Sequence, residues 1–299
     1  MALKTLSEIT EKAKQGDKKV LAVAVAQDKH VLEAVKASMA EGIVDVILVG
    51  DTAKISKIAS EINFDLSELE LVHEENDAKA CVKAIEFIKI GKADILMKGL
   101  VSTAVLLKAV LDKEKGLRKS NVLSHVAVFE TPHYHKLIGV TDAAMNVAPE
   151  LNEKLHIVNN AVELFNRIGV ETPKVAVLAA VELVNPKMQA SVDAALLSTM
   201  NLRGQIKNCI VDGPLALDNA ISKEAAEHKG IKSEVAGDAD ILVAHDINTG
   251  NVLYKSLNFM GGAVSAAVIM GAQAPIVLTS RADSEISKKL SIALAAAMD

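Results

Sequence analysis

Residues 20–50, VLAVAVAQDKHVLEAVKASMAEGIVDVILVG, decide the fold. An apolar run at 20–26 is followed by 28–41, where Val31, Leu32, Val35 and Met39 recur at helical spacing, and a second apolar run at 46–49 ends in Gly50. Short unbroken apolar runs suit strands buried on both faces, and a helix between two of them is the crossover of a parallel β-α-β unit. The pattern extends outward: residues 69–72 and 94–97 read as two more strands, each followed by a helical segment. Four β-α units are therefore predicted within the first 116 residues.

Beyond Gly116 the texture changes. Residues 124–129 and 137–140 are strand-like and separated only by ETPHYHK, whose proline and polar groups predict a hairpin turn or lid loop. A domain boundary is placed near residue 120. Alternation then resumes, with helices predicted at 151–168, 186–200, 217–228, 252–270 and 284–298, and strands at 175–178, 206–211, 241–244 and 275–279. The methionines of NFMGGAVSAAVIMG recur at helical spacing and are expected in the core.

Composition narrows the class. The 299 residues are enough for about two lobes. Half are hydrophobic, yet Trp is absent and only 2 Tyr and 5 Phe occur, so the core must be built from Ala, Val, Ile and Leu, which disfavours an all-β sandwich. A net charge of −5 argues against a general nucleic-acid binder and requires any anionic ligand to be held by local positive groups. Two cysteines, Cys81 and Cys209, form no disulfide framework or metal knuckle, which points to a reducing compartment. The polar N-terminal stretch has no signal-peptide core, and no apolar run reaches the length of a membrane span, so the expectation is a cytoplasmic protein without membrane partners.

Ligands of open parallel sheets bind beyond the carboxyl ends of the strands. In ILMKGLVSTAVLLKAVL a strand ends at Met97, Lys98 and Gly99 form the turn, and Ser102 and Thr103 stand where a helix starts, with Lys108 one to two turns further on. Backbone amides, hydroxyls and a lysine converge there, either as an anion site or as a simple N-cap beside a solvated lysine. In PIVLTSRADSEISKK a strand runs into Ser280 and Arg281, with Asp283 and Glu285 opening the last helix. Only four arginines occur, and one at a strand end beside a serine and a carboxylate suits a phosphate with an acid or base alongside; a capping box is the alternative. Asp212, Asp218 and Asp246 also stand at strand ends, where turns and helix starts are the plainer reading. His125, His133 and His135 lack further ligands for a tetrahedral metal set, and Cys209, inside an apolar run, reads as a small hydrophobe. The dinucleotide, phosphate-loop and nucleophile-elbow motifs are all missing from the sequence.

The segments VAGDADILVAHDINTGNVLYKSL and PIVLTSRADS resemble the phosphate acetyl/butyryl transferase family, and KGLVSTAVLLKAVL, LSHVAVFETPHYHKL, GVTDAAMN, PKVAVLAAVE, NPKM and CIVDGPLALDNAIS bring the chain nearest its butyryl branch. The resemblance covers nearly the whole chain. It implies a two-domain α/β fold of isocitrate and isopropylmalate dehydrogenase type, with mainly parallel sheets, flanking helices and a cleft between domains. Residues 1–120 plus 274–299 would form one domain and 121–273 the other, assembling as homo-oligomers. It also implies reversible transfer of a butyryl or similar acyl group between coenzyme A and inorganic phosphate in a ternary complex. An acetyl enzyme or one using an acyl carrier protein is the alternative. No metal or resident cofactor is implied, the coenzyme A thioester being a substrate.

The family's Ser-Arg pair falls on Ser280 and Arg281. Its functional arginine in the helix after the Ser-Thr turn falls on Lys108, a point charge instead of a fork. The acetyl enzymes carry their catalytic aspartate seven residues after the serine, where Ser287 stands here. Either Asp283 or Glu285 takes that role, or the branches handle the proton differently. Lys98, Gly99, Ser102, Thr103 and Lys108 are then the expected phosphate and coenzyme A contacts. A route through Cys209 is the mechanistic rival.

Overall fold

The computed structural model describes residues 4–278 and 284–298. In chain order the elements are α1 (Leu6–Gln15), β1 (Lys19–Ala24), α2 (Lys29–Ala40), β2 (Val44–Gly50), α3 (Thr52–Glu61), β3 (Glu70–His73), α4 (Asp77–Lys89), β4 (Ile95–Lys98) and α5 (Thr103–Val110). These are followed by β5 (Ser124–Glu130), β6 (Ile138–Thr141), α6 (Leu151–Ile168), β7 (Lys174–Leu178), α7 (Gln189–Leu202), β8 (Ile210–Leu215), α8 (Leu217–Ile221) and α9 (Lys223–His228). The last are β9 (Ile241–Val243), α10 (Ile247–Phe259), β10 (Val264–Met270), β11 (Ile276–Val277) and α11 (Glu285–Ala296). No helix among the described residues is long and apolar enough to cross a membrane.

Contacts divide the chain into two compact units, each a mostly parallel sheet flanked by helices. One comprises Ser7–Ser120 with the described residues from Ala266 onward. Its strands run in the order β3-β2-β1-β4-β11-β10, parallel throughout except for β10, which is antiparallel to β11. The chain builds outward from β1 through β2 to β3, then returns to lay β4 on the other side of β1. Right-handed crossovers in opposite directions place their helices on opposite faces. Accordingly α2 packs with α11, and α4 with α5. Asp28, Asp51 and Asn76 cap α2, α3 and α4 by accepting first-turn amides, so each helix starts within a few residues of its strand end.

The other unit holds Asn121–Ser265 together with the described start of the chain up to Leu6. Its order is β5-β6-β9-β7-β8. β5 and β6 form an antiparallel hairpin, and β6, β9, β7 and β8 run parallel. The connecting segment is pinned by side chains: the Tyr134 hydroxyl donates to the Ala239 carbonyl at 2.8 Å, and Lys136 pairs with Asp240 at 2.7 Å.

Three expectations are corrected. Residues 252–270 are not one helix: α10 ends at Phe259, Gly262 takes φ 63°, and Val264–Met270 is a buried strand. An alanine-rich apolar run of this length fits either structure, and pairing with β11 decides it. Met270 is buried as expected, whereas Met260 is 87% exposed. The strand expected at 206–211 lies at Ile210–Leu215, with Gly213 and Pro214 inside it rather than in a turn. The helix expected at 217–228 is two short helices meeting at Ser222.

Candidate active site

Strand order switches sides at β1, with β2 added on one edge and β4, parallel to it, on the other, and open α/β sheets bind ligands at the carboxyl ends of the strands at such a switch point. The turn after β4 closes onto the end of β1. The Gly99 amide donates to the Ala24 carbonyl at 2.8 Å and the Leu100 amide to the Val25 carbonyl at 2.7 Å. A Cβ on Gly99 would overlap the Val25 carbonyl oxygen, so the approach requires glycine. Val25 itself sits at φ 59°, a left-handed conformation that a β-branched residue adopts only where its surroundings enforce it.

Lys98, half-buried, folds its ammonium over this turn and donates to the Gly99 and Val101 carbonyls, both at 3.1 Å. Ser102 is the N-cap of α5, its hydroxyl accepting the Val105 amide at 3.3 Å, and Thr103 is the first helical residue. The capping reading of Ser102 is therefore realised. Capping uses the hydroxyl oxygen and leaves its proton to donate. A cavity of about 450 Å³ opens beside the turn, lined by Leu100, by Gln27 just after β1, and by charges of both signs, Lys54 and Lys57 with Glu61, Glu75 and Asp77. Lys108 lies elsewhere, in the last turn of α5, on a groove of about 310 Å³ whose other wall is Val82 and Ile85 of α4.

β11 is parallel to β4, with Val277 opposite Met97, so the last described strand ends beside the Lys98 turn. Ser280, Arg281 and Asp283 lie outside the described residues. Glu285 is the exposed first residue of α11, whose N-cap Ser284 accepts the Ser287 amide at 3.1 Å. Ser287 is thus bound into the helix start.

In the second unit, the Asp142 carboxylate after β6 accepts the amides of Ala144, Met145 and Asn146 at 2.9–3.1 Å and shapes the loop. Asp246 is the N-cap of α10, taking the Thr249 amide at 2.8 Å, and that bond lowers its pKa. Asp212 and Asp218 accept the amides of the residues that follow them. His135 pairs with Asp238 at 2.8 Å. Burial pushes the Cys209 thiol up to about 11, the opposite of what a nucleophilic cysteine needs.

One cluster was not anticipated. Lys154 in the first turns of α6 is 2% exposed and pairs with Asp193 of α7 at 2.6 Å, and its Nζ lies 2.8 Å from Nδ1 of His245, which directly follows the β9 run. Of these, only His245 carries a sequence signal, its place at a strand end beside Asp246.

A family profile described as phosphate acetyl/butaryl transferase matches residues 4–83 and 69–296. The chain is 53% identical over 294 residues to a phosphate butyryltransferase of Clostridium acetobutylicum, covering 98% of each. It is 45% identical over 291 residues to a phosphate acetyltransferase of Thermotoga maritima, covering 97% of this chain and 98% of the other. A branched-chain phosphotransacylase of Enterococcus faecalis has the same fold, with a TM-score of 0.81 at 37% identity over 93% of this chain and 97% of that one. With a matching profile, identities near one half over the full length and the shared fold, the chain belongs to the phosphate acetyl/butaryl transferase family.

Proposed function

We propose that the chain catalyses acyl-CoA + phosphate ⇌ acyl phosphate + CoA, with butyryl or a similar short or branched acyl group. The observation that carries this reading is the near-complete match to a phosphate butyryltransferase, more similar than the phosphate acetyltransferase by 53% to 45%. The name of the Enterococcus faecalis relative supports branched acyl groups as a neighbouring possibility. The family's architecture of isocitrate and isopropylmalate dehydrogenase type and its homo-oligomeric assembly belong to the same proposal. So does the absence of any resident cofactor or metal from the chemistry.

Transfer needs both substrates bound together and no covalent carrier. A phosphate oxygen attacks the thioester carbonyl, a C–O bond forms, the C–S bond breaks, and CoA leaves as a thiolate. In reverse, the thiol proton goes to Asp283 or Glu285, and the thiolate attacks the acyl phosphate. Arg281, with Lys98, holds the phosphate; Lys108, on the separate groove between α4 and α5, leaves that role. Ser280 and the donors around Ser102 and Thr103 steady the tetrahedral oxyanion, the placement from which fixed dipoles act most strongly. What supports the grouping is the pairing of β11 with β4, which brings Val277 beside Met97 one residue before Lys98. Glu285 at the exposed start of α11 has the access a proton acceptor needs.

The test is thiol release from butyryl-CoA with and without inorganic phosphate, alongside acetyl-CoA and a branched acyl-CoA. Phosphate-dependent release with the highest kcat/KM on a four- or five-carbon acyl group is expected. No release with any thioester would refute the reading, and a preference for acetyl-CoA would refute its acyl specificity.

A further inference from the structure

We propose that the cavity at the carboxyl end of β9 binds the pantetheine arm of the acyl-CoA, with His245 as its hydrogen-bond donor; the assignment rests on the acyl-CoA reading above. The cavity measures about 420 Å³, within the ordinary range of ligand pockets, and lies wholly in the unit formed by Asn121–Ser265. It sits where parallel strands present ligands.

The buried cluster on its wall fixes what His245 can do. Asp193 receives Lys154 on one oxygen and the Gln189 amide, at 2.7 Å, on the other. The Lys154 ammonium carries only protons, so at 2.8 Å Nδ1 of His245 must accept, and the neutral ring then carries its proton on Nε2. Burial, and then the charge of Lys154, lower the imidazole pKa, which keeps the ring neutral at pH 7. A neutral imidazole held in one tautomer is a donor suited to a carbonyl oxygen.

Charge selects which part of the substrate fits. The charge of Lys154 is cancelled by Asp193, and Glu150 and Asp246 also line the wall. The cavity therefore carries net negative charge and repels the phosphates of the nucleotide end. Pantetheine is neutral and offers what the wall complements: amide carbonyls to accept from Nε2 of His245, and amide protons for Glu150 or Asp246. Each of those carboxylates has about four acceptor positions, and helix capping does not use them all. The methylenes and the geminal methyl pair of the arm meet Pro149, Leu151 and Leu196.

Pantetheine and adenosine 3′,5′-bisphosphate, the neutral arm and the nucleotide end of coenzyme A without the phosphate that joins them, are titrated separately into the full chain and into H245L, H245Q and L196W. Leu196 is 43% exposed, so Leu196→Trp fills the cavity from its rim and leaves the Lys154 cluster intact. Pantetheine should bind about tenfold more weakly to H245L and L196W, H245Q should recover most of the loss through its side-chain N–H, and the nucleotide end should be unaffected. Pantetheine affinity within twofold of wild type in both H245L and L196W, equal weakening of the nucleotide, or no pantetheine binding to the wild type would each overturn the assignment. These outcomes are separable from failure of the parent reading, which shows instead as no phosphate-dependent release of CoA by the wild type.

Discussion

Gly99→Ala tests whether the turn after β4 is the working part of the molecule. The added methyl would overlap the carbonyl oxygens of Val25 and Ala24, both backbone atoms that cannot rotate away. The turn must lift off β1, weakening the Gly99–Ala24 and Leu100–Val25 hydrogen bonds, each worth about 1 kcal/mol net. Relief of the Val25 conformation offsets part of this, so the expected destabilisation is about 1–3 kcal/mol, or about 2–5 °C in Tm. Activity should fall more steeply. The lifted turn carries Lys98 and the start of α5, and a misplacement of about 1 Å near reacting groups costs on the order of 10²-fold in rate. Gly91→Ala is the control: its φ of 71° strains any substituent, yet no atom lies within 4 Å of the new Cβ. It should lose about 1 kcal/mol of stability and keep its activity. Phosphate-dependent CoA release and thermal unfolding of both variants decide the matter. A Gly99→Ala enzyme within threefold of wild-type kcat/KM would refute the placement of the site at this turn.

Replacing Arg281 by Ala should lower phosphate-dependent turnover by about 10²- to 10³-fold, as loss of one fixed donor typically does; near-normal turnover would remove Arg281 from the mechanism. Cys209→Ser should retain full activity, since burial holds the thiol protonated at neutral pH, and a large loss would revive transfer through a thioester on the enzyme. Asp238→Asn should flatten the acid side of the stability profile. Burial alone would raise the Asp238 pKa, but hydrogen bonds from Lys174, Lys136 and His135 hold it far below the carboxylate range. A depressed carboxylate stabilises the fold above its unfolded pKa of about 3.9, and that contribution is lost as pH falls further toward the folded pKa. Urea unfolding at pH 7 and pH 3 should therefore show a smaller drop for the variant than for wild type, and equal drops would exclude the network as the cause.

The alternation that built the sheets was legible because buried parallel strands need unbroken apolar runs and their helices need amphipathic ones. The observed boundaries of β1, α2, β2, α6 and β9 fall within about two residues of the runs that announced them. Misreadings occurred where composition satisfies two structures. Val264–Met270 has the alanine content of a helix and the apolar continuity of a strand, and strand pairing, with β11 among others, distinguishes them. Asp212-Gly213-Pro214 has turn chemistry, yet it continues a strand that pairs on one side only, with β7, where a missing amide donor is tolerated. α1 lay in a polar stretch whose buried side rests on only a few residues, Leu6, Ile9 and Ala13 among them.

The candidate site divides along the same line. Lys98, Gly99, Ser102 and Thr103 are legible as candidates because a strand end, a glycine and a helix start are consecutive in the chain. That the turn closes on Val25, and that β11 delivers its end beside Met97, follows from strand order, which a single sequence does not contain. Lys154, Asp193 and His245 illustrate the limit: each taken alone is a solvated lysine, a helix aspartate and a loop histidine, and the chemistry exists only once α6, α7 and β9 meet.

The strand ends of the two units differ in the cations they present. Around the cavity beside the β4 turn stand Lys54 and Lys57 together with Glu61, Glu75 and Asp77, Lys54 pairing with Asp51 at 2.9 Å, and Lys98 donates to the carbonyls of the turn itself. Around β9 the polar side chains include Glu150 and Asp246, with Lys154 neutralised by Asp193. A chain of net charge −5 has no general attraction for phosphate, so local cations must provide it, and Lys54, Lys57 and Lys98 belong to the unit that carries β4. The neutral, amide-bearing part of an acyl thioester needs no such charge, and a fixed donor among carboxylates and apolar side chains suits it better than a lysine would. Substituting Glu150 by Lys would add positive charge to the β9 cavity and favour the anions it now repels, without touching the β4 turn. That exchange should weaken pantetheine and strengthen adenosine 3′,5′-bisphosphate in the same pair of titrations; weakening of both would mean that Glu150 acts only as the cap of α6.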